Sequence, residues 1–426
     1  MNEIFSYTNL KKIYLASLLL VILPPFYLFA SFLNVNTLAK VLWVVVFLVL
    51  VLKKERQIPK ENTLLWLFLA FFLTQSLSVF GAVNIFAFLQ QYEDLIFTAL
   101  FFFISLSLLN KPKDIKNVVV VLLAGGVVNL VFQTIIFLFP NLFLRVGELF
   151  LHEGYLEIIK INVGRSRIYF EGYDEILIPI LLYLWLNLRK KIKSAFSLFY
   201  VLLITTFSFV SNFRTRFLML IFSLFFSFFL FLKTKKTYLF AFFILPVTVY
   251  FLYSILTQNI GFTVFDRLLF QSEKEDVNTV TGRIEKWEKT VEIGLSAPVF
   301  GVGLGNYYDY LDPSMKQYAS LFEQTRKEFE LAAYDPHGIF FKIFAETGFL
   351  GLFSFLLILG YFLKKDIKIL FSKEEIPKIF IVSFWTLFLY ALVNPSYTTK
   401  YQALFWLLRI LVEKSKGLYS PRILES

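Results

Sequence analysis

Residues 37–52 read TLAKVLWVVVFLVLVL, an apolar run that contains one charged residue, Lys40. A helix needs about 17–25 mostly apolar residues to cross the hydrocarbon core of a membrane, and this run approaches that length. Comparable runs recur along the chain and predict about twelve transmembrane helices. Their predicted bounds are 13–33, 37–52, 63–80, 93–109, 117–139, 174–188, 195–211, 217–232, 237–256, 339–363, 377–393 and 400–412.

The overall composition leads to the same class of protein. Of the 426 residues, 58% are hydrophobic and 17% are charged, which is too few charges to cover the surface of a soluble globule. We therefore predict an all-α, polytopic integral membrane protein. Pro24 and Pro25 predict a kink in the first span, which we interpret as a retained helix because no small-residue cleavage site of a signal peptide follows it.

The chain has no cysteine and only two histidines, His152 and His337. The lack of cysteine excludes disulfides, thiolate catalysis and cysteine-ligated zinc. Two histidines are too few for a metal site built from several of them, which removes most metalloenzymes from consideration. We therefore expect neither a metal nor a cofactor.

Basic residues mark every second connection between the predicted helices. By the positive-inside rule these connections lie in the cytoplasm, together with both termini. The clusters lie near residues 53–60, 111–116, 189–193, 233–236 and 364–368. The remaining connections are then periplasmic, and two of them are long, 140–173 and 257–338.

This topology divides the chain into three parts. Residues 1–256 form helices 1 to 9 with the outer loop 140–173, residues 257–338 form a large periplasmic helical loop, and residues 339–426 form helices 10 to 12 and a cytoplasmic tail. The large loop holds thirteen acidic and eight basic residues, so the net charge of +11 arises elsewhere. We attribute that charge to topology and lipid headgroups, and not to nucleic acid.

Two pairs of arginines lie on the predicted periplasmic side. Arg214 and Arg216 belong to the outer turn NFRTR, and Arg165 and Arg167 end the outer loop 140–173. In an extended or turn backbone, residues two apart point to the same side, so each pair could form a two-pronged clamp. Arginine is suited to a bidentate grip on phosphate. The alternative is that each pair reaches to lipid headgroups.

The large loop contains a predicted amphipathic helix that begins near Arg283. Ile284, Trp287, Val291 and Leu295 recur at helical spacing, with charged residues opposite. A tryptophan on such a face is typical of a helix that lies on the membrane surface.

A glycine-rich segment follows this helix. Pro298 and the glycines Gly301, Gly303 and Gly305 predict a structural turn that returns the chain to the bundle. A dinucleotide site is not favoured, because Asn306 occupies the sixth position of GxGxxG and no strand precedes it. Two interpretations remain, a plain turn or a turn that presents backbone N–H groups to an anion.

His337 lies just before the apolar run that begins at Ile339. This position is the outer mouth of a predicted transmembrane helix. Because the unperturbed pKa of histidine is about 6.5, His337 could act as a general base near neutral pH. The alternative is an ordinary capping or surface residue, and this is how we interpret His152.

These motifs, in this order and on this side of the membrane, resemble the bacterial O-antigen ligase and O-antigen polymerase superfamily. The resemblance is close over about residues 160–360. The residues that carry it are Arg214-Thr215, Thr281-Gly282-Arg283, Trp287, Pro298, the segment from Gly301 to Asn306, His337, Glu346-Thr347-Gly348 and Gly351.

The resemblance implies an inverting, metal-independent glycosyltransferase that acts at the periplasmic face of the bacterial inner membrane. The donor would be a glycan on undecaprenyl diphosphate. The acceptor would be a hydroxyl of lipid A-core for a ligase, or another repeat unit for a polymerase. We favour a ligase, because one dominant late outer loop carries most of the motif. Besides donor and acceptor, membrane lipids are expected as partners, and nucleic acid is not.

The resemblance also assigns roles to individual residues. His337 matches the histidine that assists the acceptor hydroxyl, although this chain has Gly338 where the family often has asparagine. The residues matched to the diphosphate are Arg214, Arg216 and Arg283, with Arg165 and Arg167 as further candidates.

Two other classes of protein are alternatives. A metal-dependent membrane glycosyltransferase should carry acidic residues in its first outer loop, and residues 34–36 contain none. A flippase or another transporter should place charges inside the bundle. Here the candidate residues are expected at its outer rim.

Overall fold

The computed structural model describes residues 6–23, 27–28, 33–53, 63–149, 151, 156, 159–160, 174–187, 191–210, 214–231, 275–311, 338–393 and 399–417. Within these ranges the helices are joined by short turns, and the strands form one antiparallel pair of two residues each, β1 (Tyr27–Leu28) and β2 (Leu33–Asn34).

The helices are numbered in chain order. They are α1 Tyr7–Ile22, α2 Val35–Leu52, α3 Thr63–Leu77, α4 Ile85–Leu108, α5 Pro112–Leu138, α6 Pro140–Gly147, α7 Ile178–Asn187, α8 Lys191–Val210, α9 Arg214–Phe231, α10 Glu275–Ser296, α11 Tyr307–Leu311, α12 Ile339–Leu370, α13 Glu375–Val393 and α14 Thr399–Lys414. Short 3₁₀ turns precede α4, at Ser78–Gly81, and α7, at Asp174–Leu177.

Seven helical segments in the described ranges are long and apolar enough to cross a membrane. They are Val35–Leu52, Thr63–Gly81, Ile85–Leu108, Pro112–Leu138, Lys191–Ser208, Ile339–Leu370 and Glu375–Leu392. This is the pattern of a helical, multi-pass membrane protein. The total of twelve spans and their orientation stay predictions, and the predicted span 237–256 lies outside the described residues.

The first helix differs from its prediction. The sequence predicts a kinked span over 13–33, whereas α1 begins at Tyr7, behind the capping side chain of Ser6, and ends at Ile22. Leu23 is extended (φ −64°, ψ 157°). A residue before proline is pushed out of the helical region, so Pro24 ends this helix instead of bending it.

Helix α14 lies at the centre of the helical bundle. Each residue from Lys400 to Val412 is buried, so no face of this stretch meets lipid. Trp406 packs against Phe68 and Phe102, with ring centroids 4.9 and 5.5 Å away. Burial on all sides also encloses the polar residues Lys400, Gln402 and Arg409 of this helix, which lipid could not solvate.

The charge of Arg409 on α14 is neutralised within the bundle. Arg409 donates from Nη1 to both carboxylate oxygens of Asp366 on α12, at 2.7 and 2.8 Å, and its guanidinium lies 4.1 Å from the ring centre of Phe362. Trp385 of α13 donates to the same carboxylate at 2.9 Å. This buried pair joins α12, α13 and α14 at one level of the bundle.

Candidate functional site

The glycine-rich segment forms the predicted structural turn. Helix α10 ends at Ser296, and Gly301, Gly303 and Gly305 then adopt positive φ angles of 71°, 93° and 73°. This left-handed region favours glycine because it has no Cβ. A Cβ on Gly303 would lie 2.7 Å from Cα of Ala82, so the turn also packs closely against the α3–α4 connection.

The backbone N–H groups of this turn are already used. Four consecutive amides donate within the protein, which favours the plain turn over an anion-binding turn. The pairs are Gly301 to the Ala297 carbonyl (2.8 Å), Val302 to the Ala345 carbonyl (2.9 Å), Gly303 to the Glu346 carbonyl (3.0 Å) and Leu304 to Ser78 Oγ (3.3 Å).

Helix α12 is interrupted where the turn meets it. Gly348 has non-helical angles (φ 64°, ψ −165°), and the next two amides, of Phe349 and Leu350, donate to the carbonyls of Pro298 and Val299 at 2.7 and 3.3 Å. The break and the glycine-rich turn therefore exchange backbone hydrogen bonds in both directions. This exchange gives a physical reason for the Glu346-Thr347-Gly348 motif.

Helix α10 packs on α12, and only part of its predicted apolar face is covered. The ring of Trp287 stacks on Phe341, with centroids 5.1 Å apart and planes 10° from parallel. Ile284 and Leu295 of the predicted face are exposed, whereas Ile293, which was not predicted to lie on it, is buried. Trp287 thus joins α10 to the first turn of α12.

The contact between α10 and α12 brings together the backbone segments that carry two of the predicted site residues. Arg283 lies in α10, one helical turn before Trp287, and His337 immediately precedes Gly338, the N-cap residue of α12. The helix that carries Arg283 therefore meets the beginning of the helix that follows His337.

The arginine pair at the start of α9 is not the clamp that the sequence predicts. Helix α9 begins at Arg214, so Arg214 and Arg216 are both helical. Residues two apart on a helix lie about 200° apart around its axis, so they cannot form a two-pronged grip. Residues 214–216 of the predicted turn NFRTR are thus helical, and residues 212–213 lie outside the described residues.

Arg216 points into the bundle, where it is almost completely buried. Its Nε donates to Glu175 Oε1 at 2.7 Å, and its Nη1 donates to Gln133 Oε1 at 2.8 Å. The expectation that the candidate charges lie at the outer rim is therefore wrong for Arg216. Its charge is instead compensated by a carboxylate, as buried charges require.

Further polar side chains extend this internal cluster. Gln133 donates to Asp174 Oδ2 at 2.7 Å, and a cavity of about 20 Å³, roughly the size of one water, is lined by Asp174, Asn129 and Lys400. Asp174 and Glu175 were not among the site residues predicted from the sequence. They could have been found as two adjacent carboxylates at the start of an apolar run, because acidic residues in a membrane bundle are usually paired or functional.

Residues 199–356 match the family model described as O-antigen ligase. This segment is an O-antigen ligase family domain. The match confirms the resemblance inferred from the motifs, and it covers somewhat over a third of the chain. No significant match to a curated protein was found.

The O-antigen ligase domain extends from within α8 past the break in α12. It contains the glycine-rich turn and four predicted site residues, Arg214, Arg216, Arg283 and His337.

Several predicted residues lie outside the structural description. His152, Arg165, Arg167 and His337 are outside the described residues altogether. Arg214 and Arg283 are placed on their helices, but their side chains are not described. Within the described ranges, no group of three or more histidine, aspartate or glutamate residues could hold a metal ion.

Asn84 connects the O-antigen ligase domain to the N-terminal helices. Its Oδ1 caps α4 by accepting from the amides of Phe86 and Ala87, and its Nδ2 donates to Asp309 at 3.1 Å. Its own backbone amide donates to Asn306 at 2.6 Å. Asn84 therefore combines a helix cap with a contact to the segment that follows the turn.

Replacing Asn84 with alanine should lower the free energy of unfolding by about 2 kcal/mol, since both a cap and a partly buried hydrogen bond are lost. Asn34, which caps α2 through the amide of Asn36, provides the matched control. Asn34→Ala should cost about 1 kcal/mol. Denaturant unfolding in detergent would measure both, and equal losses would show that the Asn84–Asp309 contact contributes nothing.

Proposed function

We propose that this protein is an O-antigen ligase. It transfers a glycan from undecaprenyl diphosphate to a sugar hydroxyl of lipid A-core at the periplasmic face of the bacterial inner membrane, in lipopolysaccharide biosynthesis. The observation that carries this proposal is the family match, because the matched segment contains Arg214, Arg283 and His337. The packing of α10 on the start of α12 supports it.

The proposed chemistry is a single displacement at the anomeric carbon. The bond from that carbon to the acceptor oxygen forms while the bond to the diphosphate breaks, and the diphosphate leaves with the electron pair. His337 accepts the proton of the acceptor hydroxyl on the face opposite the leaving group, so the anomeric configuration inverts. A base and a leaving group on opposite faces of the sugar explain why the histidine and the arginines come from different segments.

The arginines stabilise the leaving group in this scheme. Negative charge develops on the diphosphate as the bond breaks, and positioned guanidinium groups can stabilise it without a metal ion. We assign this role to Arg214 and Arg283, with Arg165 and Arg167 as further cations from the outer loop. Arg216 was expected to share it, but two of its nitrogens already bind Glu175 and Gln133, so its contribution is indirect.

The test is transfer by the purified, full-length protein in proteoliposomes. With a lipid-linked repeat unit as donor and lipid A-core as acceptor, we expect glycan-capped core, formed equally well in the presence of a chelator. Lengthened carrier-bound glycan without capped core would identify a polymerase instead. Activity that disappears in chelator and returns with a divalent cation would contradict the metal-independent mechanism.

A further inference from the structure

Glu175 binds both helices that flank residues 211–213. The hydroxyl of Ser208, near the end of α8, is placed to donate to Glu175 Oε1 at 2.7 Å. From α9, Arg216 Nε donates to the same oxygen at 2.7 Å, and Ser223 Oγ donates to the Glu175 carbonyl at 3.0 Å. Glu175 therefore joins the end of α8 to the start of α9, where Arg214 lies.

Buried polar side chains around Glu175 restrict its conformation. Glu175, Ser208 and Ser223 are fully buried, and Gln133 binds both Arg216 and Asp174, at 2.8 and 2.7 Å. The carboxylate of Asp174 lies 3.7 Å from Arg216 Nη2, which adds a second negative charge beside the guanidinium. Side chains with several short hydrogen bonds in a dry environment have few alternative conformations.

Stability alone is a poor explanation for this ion pair. Removing charges from water is expensive, so replacing a buried pair with apolar residues of similar size is often neutral or even stabilising. We infer that this pair instead defines the geometry of the two helices it joins. Here the defined element is the start of α9, where Arg214 is the first helical residue.

We propose that Glu175 is a positioning residue for the diphosphate site: through Ser208 and Arg216 it holds the end of α8 and the start of α9 together, and so places Arg214 against the diphosphate. This inference rests on the proposed function. Arg216 then acts as the partner through which Glu175 holds α9, and not as a ligand of the phosphate. Glu175 and Gln133 both lie outside the segment that matches the family model.

The test replaces the whole charged cluster, because removing Arg216 would otherwise leave the buried carboxylate of Asp174 without a countercharge. The Glu175/Arg216 variant, Glu175→Leu with Arg216→Met and Asp174→Asn, should fold and retain roughly the melting temperature of the parent. It should nevertheless bind undecaprenyl diphosphate about tenfold more weakly, since small misplacements of a charged ligand group are costly. Arg214→Ala should weaken binding to a similar degree. Binding would be measured by titration of the detergent-solubilised full chain.

The second buried pair provides the control. Asp366→Leu with Arg409→Met removes an equally buried, equally short ion pair that lies on α12 and α14. It should change the melting temperature as the first pair does and leave the Kd for undecaprenyl diphosphate unchanged. A milder variant, Ser208→Ala, keeps the ion pair, loses one contact of Glu175, and should raise the Kd about threefold.

The outcomes separate this inference from the proposed function. If Arg214→Ala binds like the parent, the diphosphate assignment itself fails. If Arg214→Ala weakens binding but the Glu175/Arg216 and Ser208 variants do not, only the positioning role is overturned. Adding Arg214→Ala to the Glu175/Arg216 variant should cause no further loss, because both act on the same contact. A further tenfold loss would mean that Arg216 contacts the diphosphate directly, and it would also overturn the inference.

Discussion

Replacing His337 with alanine should reduce glycan transfer by about 10²–10⁴-fold, the range typical for loss of a general base. The acceptor hydroxyl would then have to lose its proton to water while the anomeric bond breaks. Binding of undecaprenyl diphosphate should be unchanged, because the imidazole is assigned to the acceptor side of the sugar. The initial rate of lipid A-core capping in proteoliposomes measures the first effect, and titration with the carrier measures the second.

The other histidine of the chain is the matched control. His152→Ala should retain the parental rate, since His152 is predicted to be an ordinary surface residue of the outer loop. His337→Ala should also retain the melting temperature of the parent. Normal transfer by a folded His337→Ala protein would remove this residue from the mechanism, and equal losses in both histidine variants would point to a general effect on the fold.

Replacing Gly301 with alanine should lower the free energy of unfolding by more than about 3 kcal/mol. Two effects add. Gly301 has φ of 71°, a region that costs an L-residue about 1–2 kcal/mol. Its new methyl group would also overlap the backbone of Glu346 and Thr347, where α12 is interrupted. Rigid backbone cannot move aside as a flexible side chain can, so the turn would separate from α12.

Gly360 lies on α12 itself and is the control for this substitution. A Cβ there would meet no atom within 4 Å among the described residues, and the backbone is helical. Gly360→Ala should therefore be neutral or stabilise the helix by up to about 1 kcal/mol. Thermal unfolding in detergent compares the two variants. A Gly301→Ala protein as stable as the parent would contradict the close packing of the turn against α12.

Local sequence signals predicted the glycine-rich turn well. Pro298 cannot continue a regular helix, and the three glycines that follow can adopt φ values that other residues avoid, so the end of α10 and the turn follow from the residues alone. The position where the turn binds could not be predicted in this way. It depends on the break at Gly348, on Ala82 and on Ser78, which come together only when α12 packs beside α3.

The directions of the Arg214 and Arg216 side chains, in contrast, could not be predicted from the sequence. The sequence places Arg214 and Arg216 beside an apolar segment, and the choice of backbone decides where they point. An extended turn would direct both to one side, whereas the helix that begins at Arg214 turns them about 200° apart. The partners of Arg216 are also distant in the chain, since Gln133 and Glu175 precede it by 83 and 41 residues.

The class of protein and the family of its central segment follow from local features of the sequence. Long apolar runs and few charges leave a lipid bilayer as the suitable solvent, and the motif order indicates the O-antigen ligase and polymerase superfamily. Which charges lie inside the bundle depends instead on tertiary packing. A buried guanidinium is tolerated only beside a carboxylate, and the contact between Arg216 and Glu175 exists only after α7, α8 and α9 have packed together.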